Sequence, residues 1–170
     1  MSVLARIFGE RKERERLRPL YDAIVRIGRD KSWYRDGGVA DTVTGRFHMM
    51  ASVTALVMLR LEREGAAAAR ESALLTEIFI DDMDASLRQI GIGDFVVGKQ
   101  VGKLVGALGG RLGAFRATLG GEGDFDEAVR RNVFPDGGDE RLAMVAGGLR
   151  ALHARLAGHS LGALLAGEIE

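Results

Sequence analysis

There is no cysteine among the 170 residues, which removes disulfides, thiolate metal sites and cysteine nucleophiles together and leaves the redox compartment open. Net charge is missing too. Twenty-four basic side chains against 24 acidic ones give no overall field for drawing in DNA or an anionic surface, so any electrostatic contact must be made by a local patch. Long apolar runs are absent as well. Val3, Leu4, Ala5, Ile7 and Phe8 make an apolar start shorter than a signal-peptide core, and nothing later approaches the roughly 20 apolar residues of a membrane span. Glu10, Glu13 and Glu15 interrupt the arginines of the first segment, whereas mitochondrial targeting segments avoid acids. The expectation is a bacterial cytoplasmic protein, at most peripheral at the inner face of the inner membrane. The three histidines, His48, His153 and His159, are not spaced with carboxylates as a ligand set, and Asp81, Asp82 and Asp84 lack the glycine and terminal glutamate of a calcium loop. No metal, cofactor or catalytic residue is expected.

What is present is helical spacing. Leu17, Leu20, Tyr21, Ile24 and Ile27 form one stripe, with Pro19 read as part of a first turn and Gly28 as the stop. A second stripe runs from Phe47 through Met50, Val53, Leu56 and Leu59 to Leu61, ending at Gly65. A third runs from Leu74 to Ile90 and stops at Gly91-Ile92-Gly93. The fourth runs from Val101 to Leu119. Asp124 with Glu127 reads as a capping box for a short helix reaching Val133. After Pro135-Asp136-Gly137-Gly138 comes a helix on Leu142, Val145, Leu149, Leu152 and Leu156, with a short continuation from Ser160. Sustained alternation is missing, so the expected fold is an all-α, single-domain bundle of about six to seven helices. Residues 17–170 are its body, 1–16 a basic and frayed amino-terminal segment, and 30–45 a long loop.

Two strings mimic catalytic motifs. Gly93-Asp94-Phe95-Val96-Val97-Gly98-Lys99 has the spacing of a phosphate-binding loop, but Gln100 replaces the metal-binding hydroxyl and a helix, not a strand, precedes it. Gly158-His159-Ser160-Leu161-Gly162 spells a nucleophile elbow, yet no histidine follows the serine, so Ser160 is read as a helix N-cap. The protein is expected not to be an enzyme.

The stretch from Phe79 to Arg111 is more specific. Phe79-Ile80-Asp81-Asp82-Met83-Asp84, Leu87-Arg88, Gly91-Ile92-Gly93-Asp94, Val97-Gly98-Lys99 and Lys103 together resemble the central signature of the ubiquinol-cytochrome c chaperone family. Asp41-Thr42, Gly45-Arg46-Phe47 and Met49 upstream, and Gly110-Arg111 and Arg131-Asn132-Val133 downstream, are similar to further motifs of that family in order and approximate spacing. The resemblance spans about residues 20–134. It implies a helical, non-enzymatic assembly chaperone that binds newly made cytochrome b during biogenesis of the bc1 complex. In mitochondrial members a small partner protein at the ribosome takes part. The client- and partner-binding residues it suggests are Arg46, Phe47, Asp81, Asp82, Asp84, Arg88, Asp94, Lys99, Lys103 and Arg111. A helical scaffold or regulatory domain with another partner is the alternative.

The residues themselves lead to a compatible surface. Asp81, Asp84 and Arg88 share one helix face, with Lys99 and Lys103 on another; such charges either pair with one another or hold a partner. Gly98, Gly102, Gly106 and Gly110 recur down the fourth helix, with Gly109 and Gly113 beside them. Each costs about 0.5–1 kcal/mol relative to alanine in a helix interior. The stripe either packs closely against another helix of the domain or forms a shallow groove for a client's transmembrane helix. Arg6, Arg11, Lys12, Arg14, Arg16 and Arg18 either lie solvated in the frayed terminus or meet ribosomal RNA or a membrane surface.

Overall fold

The computed structural model describes the backbone of residues 3–89 and 94–169 and the side chains of residues 11–86 and 101–169. The chain folds into α1 (Val3–Gly28), α2 (Lys31–Arg35), α3 (Val43–Glu62), α4 (Ala69–Gln89), α5 (Asp94–Leu119), α6 (Phe125–Val133), α7 (Leu142–Ala157) and α8 (Leu161–Leu165), with a 3-10 turn at Gly65–Ala68. No strand occurs among the described residues, as the missing alternation predicts. Six of these helices are long; α2 and α8 are single turns of five residues each.

α3 is the axis of the bundle. Every residue from Met49 to Val57 is buried, so the middle of this helix has no exposed face, and the helix is covered by α1, α4, α5, α6 and α7. A helical stretch buried on all sides belongs at the centre of a core. The others each bury one stripe against it, as with Leu17, Leu20 and Ile24 on α1 and Val145, Leu149, Leu152 and Leu156 on α7.

Close helix approach is concentrated at a few glycines. A Cβ at Gly28 would stand 2.8 Å from the Met50 sulfur, and one at Gly148 would stand 2.6 Å from the Trp33 ring. Gly167, at φ +78°, lets the carboxy-terminal turn lie against the Pro19 carbonyl, 2.6 Å from where a side chain would begin.

Several boundaries differ from the sequence reading. Pro19 lies inside α1 and not in its first turn. The residues before it are held in the helix by contacts to α4: Arg14 pairs with Asp81 at 2.5 Å, Arg16 with Glu71, and Glu13 with Arg70. That half of the helix is therefore tied down from Glu13 onward, where a frayed segment was expected. The loop expected over 30–45 contains α2, because Asp30 caps it by accepting from the Ser32 N–H at 2.8 Å. α3 then starts at Val43 behind its own cap, Thr42, which accepts from the Gly45 N–H at 3.1 Å. Asp124 caps α6 through the Asp126 N–H at 2.8 Å. Glu127 completes no box there; both its oxygens take Arg130 at 2.7 Å. Ser160 caps α8 through the Ala163 N–H at 3.2 Å, as expected. The segment that mimics a phosphate-binding loop lies between α4 and α5, with 94–99 already helical.

Arg60, buried in α3, was not singled out by the sequence reading. It donates to the Leu156 carbonyl at 3.0 Å and the His159 carbonyl at 2.6 Å, and pairs with Glu64 at 2.7 Å. A cation at the carboxy-terminal end of α7 suits the negative end of its dipole.

Candidate functional site

The motif strings far apart in sequence converge on one guanidinium. Arg111 is 3% exposed and joins three helices: it donates to its own Ala107 carbonyl at 3.2 Å, to the Asn132 carbonyl at the end of α6, and to His48 Nδ1 on α3 at 2.5 Å. Its guanidinium lies 5.4 Å from the centre of the Phe47 ring, which in turn packs at 6.1 Å on Phe79 of α4. Cation and ring attract here with water largely excluded. None of these partners is a carboxylate, and burial lowers Arg111 to about 10. His48 must present a lone pair at Nδ1 to accept from a permanent donor, so it is neutral; burial, and then the neighbouring Arg111 charge, push it down to about 4.

This hub orders the site, and Arg111, which the resemblance suggests as a partner-binding residue, is buried within it. Phe47 is half-buried on the same hub. The upstream string has an equally local reason. Asp41 accepts from the exposed Arg46 at 2.7 Å, Thr42 caps α3, and at Gly45 a Cβ would stand 1.9 Å from the Ala40 carbonyl oxygen.

The acidic residues of α4 face α1. Asp81, exposed, takes Arg14 at 2.5 Å, and Asp82 accepts from the Tyr21 hydroxyl at 2.7 Å. Burial, and next the hydrogen bond to Asp82, raise Tyr21 well above the usual phenol range. Asp84 is half-buried on the same helix. The open cleft between α1 and α4 measures about 930 Å³ and carries Arg11, Arg14, Arg18 and Arg29 against Glu15, Asp22, Asp81 and Asp82. The two charge sets that the sequence kept apart, the amino-terminal arginines and the α4 aspartates, are thus each other's neighbours. Lys103 is exposed on α5. The side chains of Arg88, Asp94 and Lys99, and the surroundings of Gly98, lie outside the described residues.

The two sides of α5 differ completely. Leu104, Leu108, Arg111 and Phe115 point into the core. A Cβ added at Gly102, Gly106, Gly109, Gly110 or Gly113 would meet nothing within 4 Å. Close packing against another helix of the domain, one of the two expectations for this stripe, is therefore not what the described residues provide. Beside the stripe stands Val105, 42% exposed. Among the described residues no group of three or more His, Asp or Glu side chains is arranged to hold a metal ion. No described helix is long and apolar enough to cross a membrane.

The described residues thus form an all-helical domain with a buried polar hub and a small-residue face that none of them covers. Residues 35–170 match the family model described as ubiquinol-cytochrome C chaperone, and the chain belongs to that family. The crystal structure of the Cbp3 homolog from Brucella abortus superposes with a TM-score of 0.80 at 27% identity, over 99% of this chain and 96% of that one. No curated protein matches the chain significantly.

Proposed function

We propose that this protein is an assembly chaperone for the ubiquinol–cytochrome c reductase complex, that its client is newly made cytochrome b, and that the glycine face of α5 receives one of the client's transmembrane helices. The observation that carries the reading is the empty space over Gly102, Gly106, Gly109, Gly110 and Gly113 in a member of this family. Five glycines in a helix interior cost together about 2.5–5 kcal/mol relative to alanine, and no described neighbour uses the close approach they allow. A helix from outside the domain would use it, since small-residue faces let two helix backbones come together where lipid-facing side chains give no hydrophobic gain.

The charged residues fit the flanks of such a client. Membrane helices carry lysine and arginine at their cytoplasmic ends, and Asp81 stands exposed on α4, next to the helix that presents the glycines. Its pair with Arg14 is exposed, of a kind worth about 0–1 kcal/mol, so a client cation displaces it at little cost. Arg46 and Lys103 offer the opposite charge to client carboxylates. The expected setting is the cytoplasmic side of the membrane that holds the complex.

Affinity capture from a membrane-containing lysate tests this. The tagged wild type should enrich cytochrome b. The Gly102→Leu, Gly106→Leu double variant should lose that enrichment while keeping its helical circular dichroism, because the added side chains point into open space. Capture of a different partner and no bc1 subunit, while the complex is being made, would establish a scaffold of another kind.

A further inference from the structure

A second cleft, of about 560 Å³, lies where the end of α1, α2 and the start of α3 meet, and it is lined by Arg29, Lys31, Arg35 and Arg46 against a single carboxylate, Asp41. We infer that this cleft binds the phosphate headgroup of an anionic phospholipid, and so seats this end of the domain on a membrane surface. The inference is independent of which client the protein carries.

The argument begins with which charges are answered inside the fold. Arg46 holds Asp41 at 2.7 Å, and Arg35 holds Asp36 with both nitrogens at 2.8 and 2.7 Å. Asp30 accepts from the Ser32 N–H and hydroxyl as the cap of α2. All three nearby carboxylates are engaged, and Arg29 and Lys31 have no carboxylate at ion-pair distance among the described residues. Nor does the end of α1 use them. Its last carbonyls would ordinarily attract a cation, but Trp33 donates to the Ile27 carbonyl at 2.7 Å and Tyr34 to the Gly28 carbonyl at 2.6 Å. Arg29 also borders the first cleft, but there Asp22 is taken by Arg18, Asp81 by Arg14 and Asp82 by Tyr21, so two exposed cations line the second cleft with no described carboxylate at ion-pair distance.

The surroundings select the ligand class. Val43 sits one turn from Arg46 on the same face of α3 and is 45% exposed. Met144, 44% exposed, stands in the first turn of α7, whose cap residue Arg141 donates to the Asp36 carbonyl at 3.3 Å. Basic and large apolar side chains displayed together suit an anionic bilayer surface, where cations meet headgroups and apolar side chains enter the acyl boundary. A nucleic acid would also want an aromatic platform for its bases. Here Trp33 is pressed against Gly148, and Tyr34, the ring that lines the cleft, is half-buried and tethered through its hydroxyl to the Gly28 carbonyl, which leaves one tethered ring and no series on which successive bases could stack.

The test is partition of the full chain onto vesicles of phosphatidylcholine alone or mixed with phosphatidylglycerol. The wild type should bind the anionic vesicles and not the neutral ones, less so as salt is raised. Arg29→Gln with Lys31→Gln, two exposed sites, should weaken binding about thirty-fold, at about 1 kcal/mol for each cation near the surface. Arg11→Gln with Lys12→Gln makes the same charge change in the amino-terminal segment and should leave binding unchanged. Equal losses from both variants, or no loss from the first, would overturn the assignment. Thermal stabilisation by inorganic phosphate without any vesicle binding would give the cleft to a free anion instead, and overturn the lipid reading.

Discussion

At Gly45 a Cβ would stand 1.9 Å from the Ala40 carbonyl oxygen; at Gly106 it would meet nothing within 4 Å. Both residues are helical, and the difference separates two uses of the same side chain. Gly45, Gly28 and Gly148 are glycine because the fold needs their space, and the cost in backbone entropy is offset inside the domain by Met50, Trp33 and the α3 cap. Along Gly102, Gly106 and Gly109 the cost is not offset by anything described in the domain. On the proposed reading, α5 keeps glycine where alanine would fit because a helix from outside the domain uses the space.

The contrast can be broken at both ends. The largest effect is expected from Gly45→Ala. Backbone, not a flexible side chain, occupies the needed volume, so the start of α3 must shift. A loss of about 3 kcal/mol or more, at the upper end of overpacking costs, should appear in chemical denaturation. Next is the hub beneath the glycine face. His48 is neutral in the folded protein down to about 4, whereas in the unfolded chain it takes a proton near about 6.5. Between those values the unfolded state binds more protons, so stability is complete above about pH 6.5 and falls as the pH drops toward 4. Melting temperatures from pH 7.5 to 5 should show this decline, and His48→Gln should flatten it. The smallest effect has the opposite sign. Gly102→Ala with Gly106→Ala should stabilise the fold by about 1–2 kcal/mol, and destabilisation would mean that an unrecognised neighbour packs there.

How much of this was legible before folding depends on distance along the chain. Helix identity was, because apolar spacing and caps such as Thr42, Asp124 and Ser160 act within one or two turns. The position of Pro19 was misread because the residues holding α1 together ahead of it, Glu71 and Asp81, belong to α4. α2 was missed because five residues offer no periodicity; only its cap, Asp30, marks it.

At the site, the short strings around Phe47, Phe79, Arg111 and Asn132 were visible in order, and their resemblance to one family was correct. Their meeting point was not visible. Arg111 reaches His48 across 63 positions and Asn132 across 21, and an arginine in sequence reads as surface charge. The pairing of α1 arginines with α4 aspartates was hidden for the same reason. Open space over the glycines is likewise a property of what does not pack there, which no local pattern records.

The central claim is that client helix and glycine face touch. A photo-reactive amino acid placed at Gly106 or Gly109 reports that contact directly in cells making the complex, with the exposed Ala154 of α7 as the comparison site. The account predicts a cross-link from 106 and 109 to a membrane-spanning peptide of cytochrome b and none from 154. Cross-links to cytochrome b from 154 alone, or equally from all three positions, would contradict it.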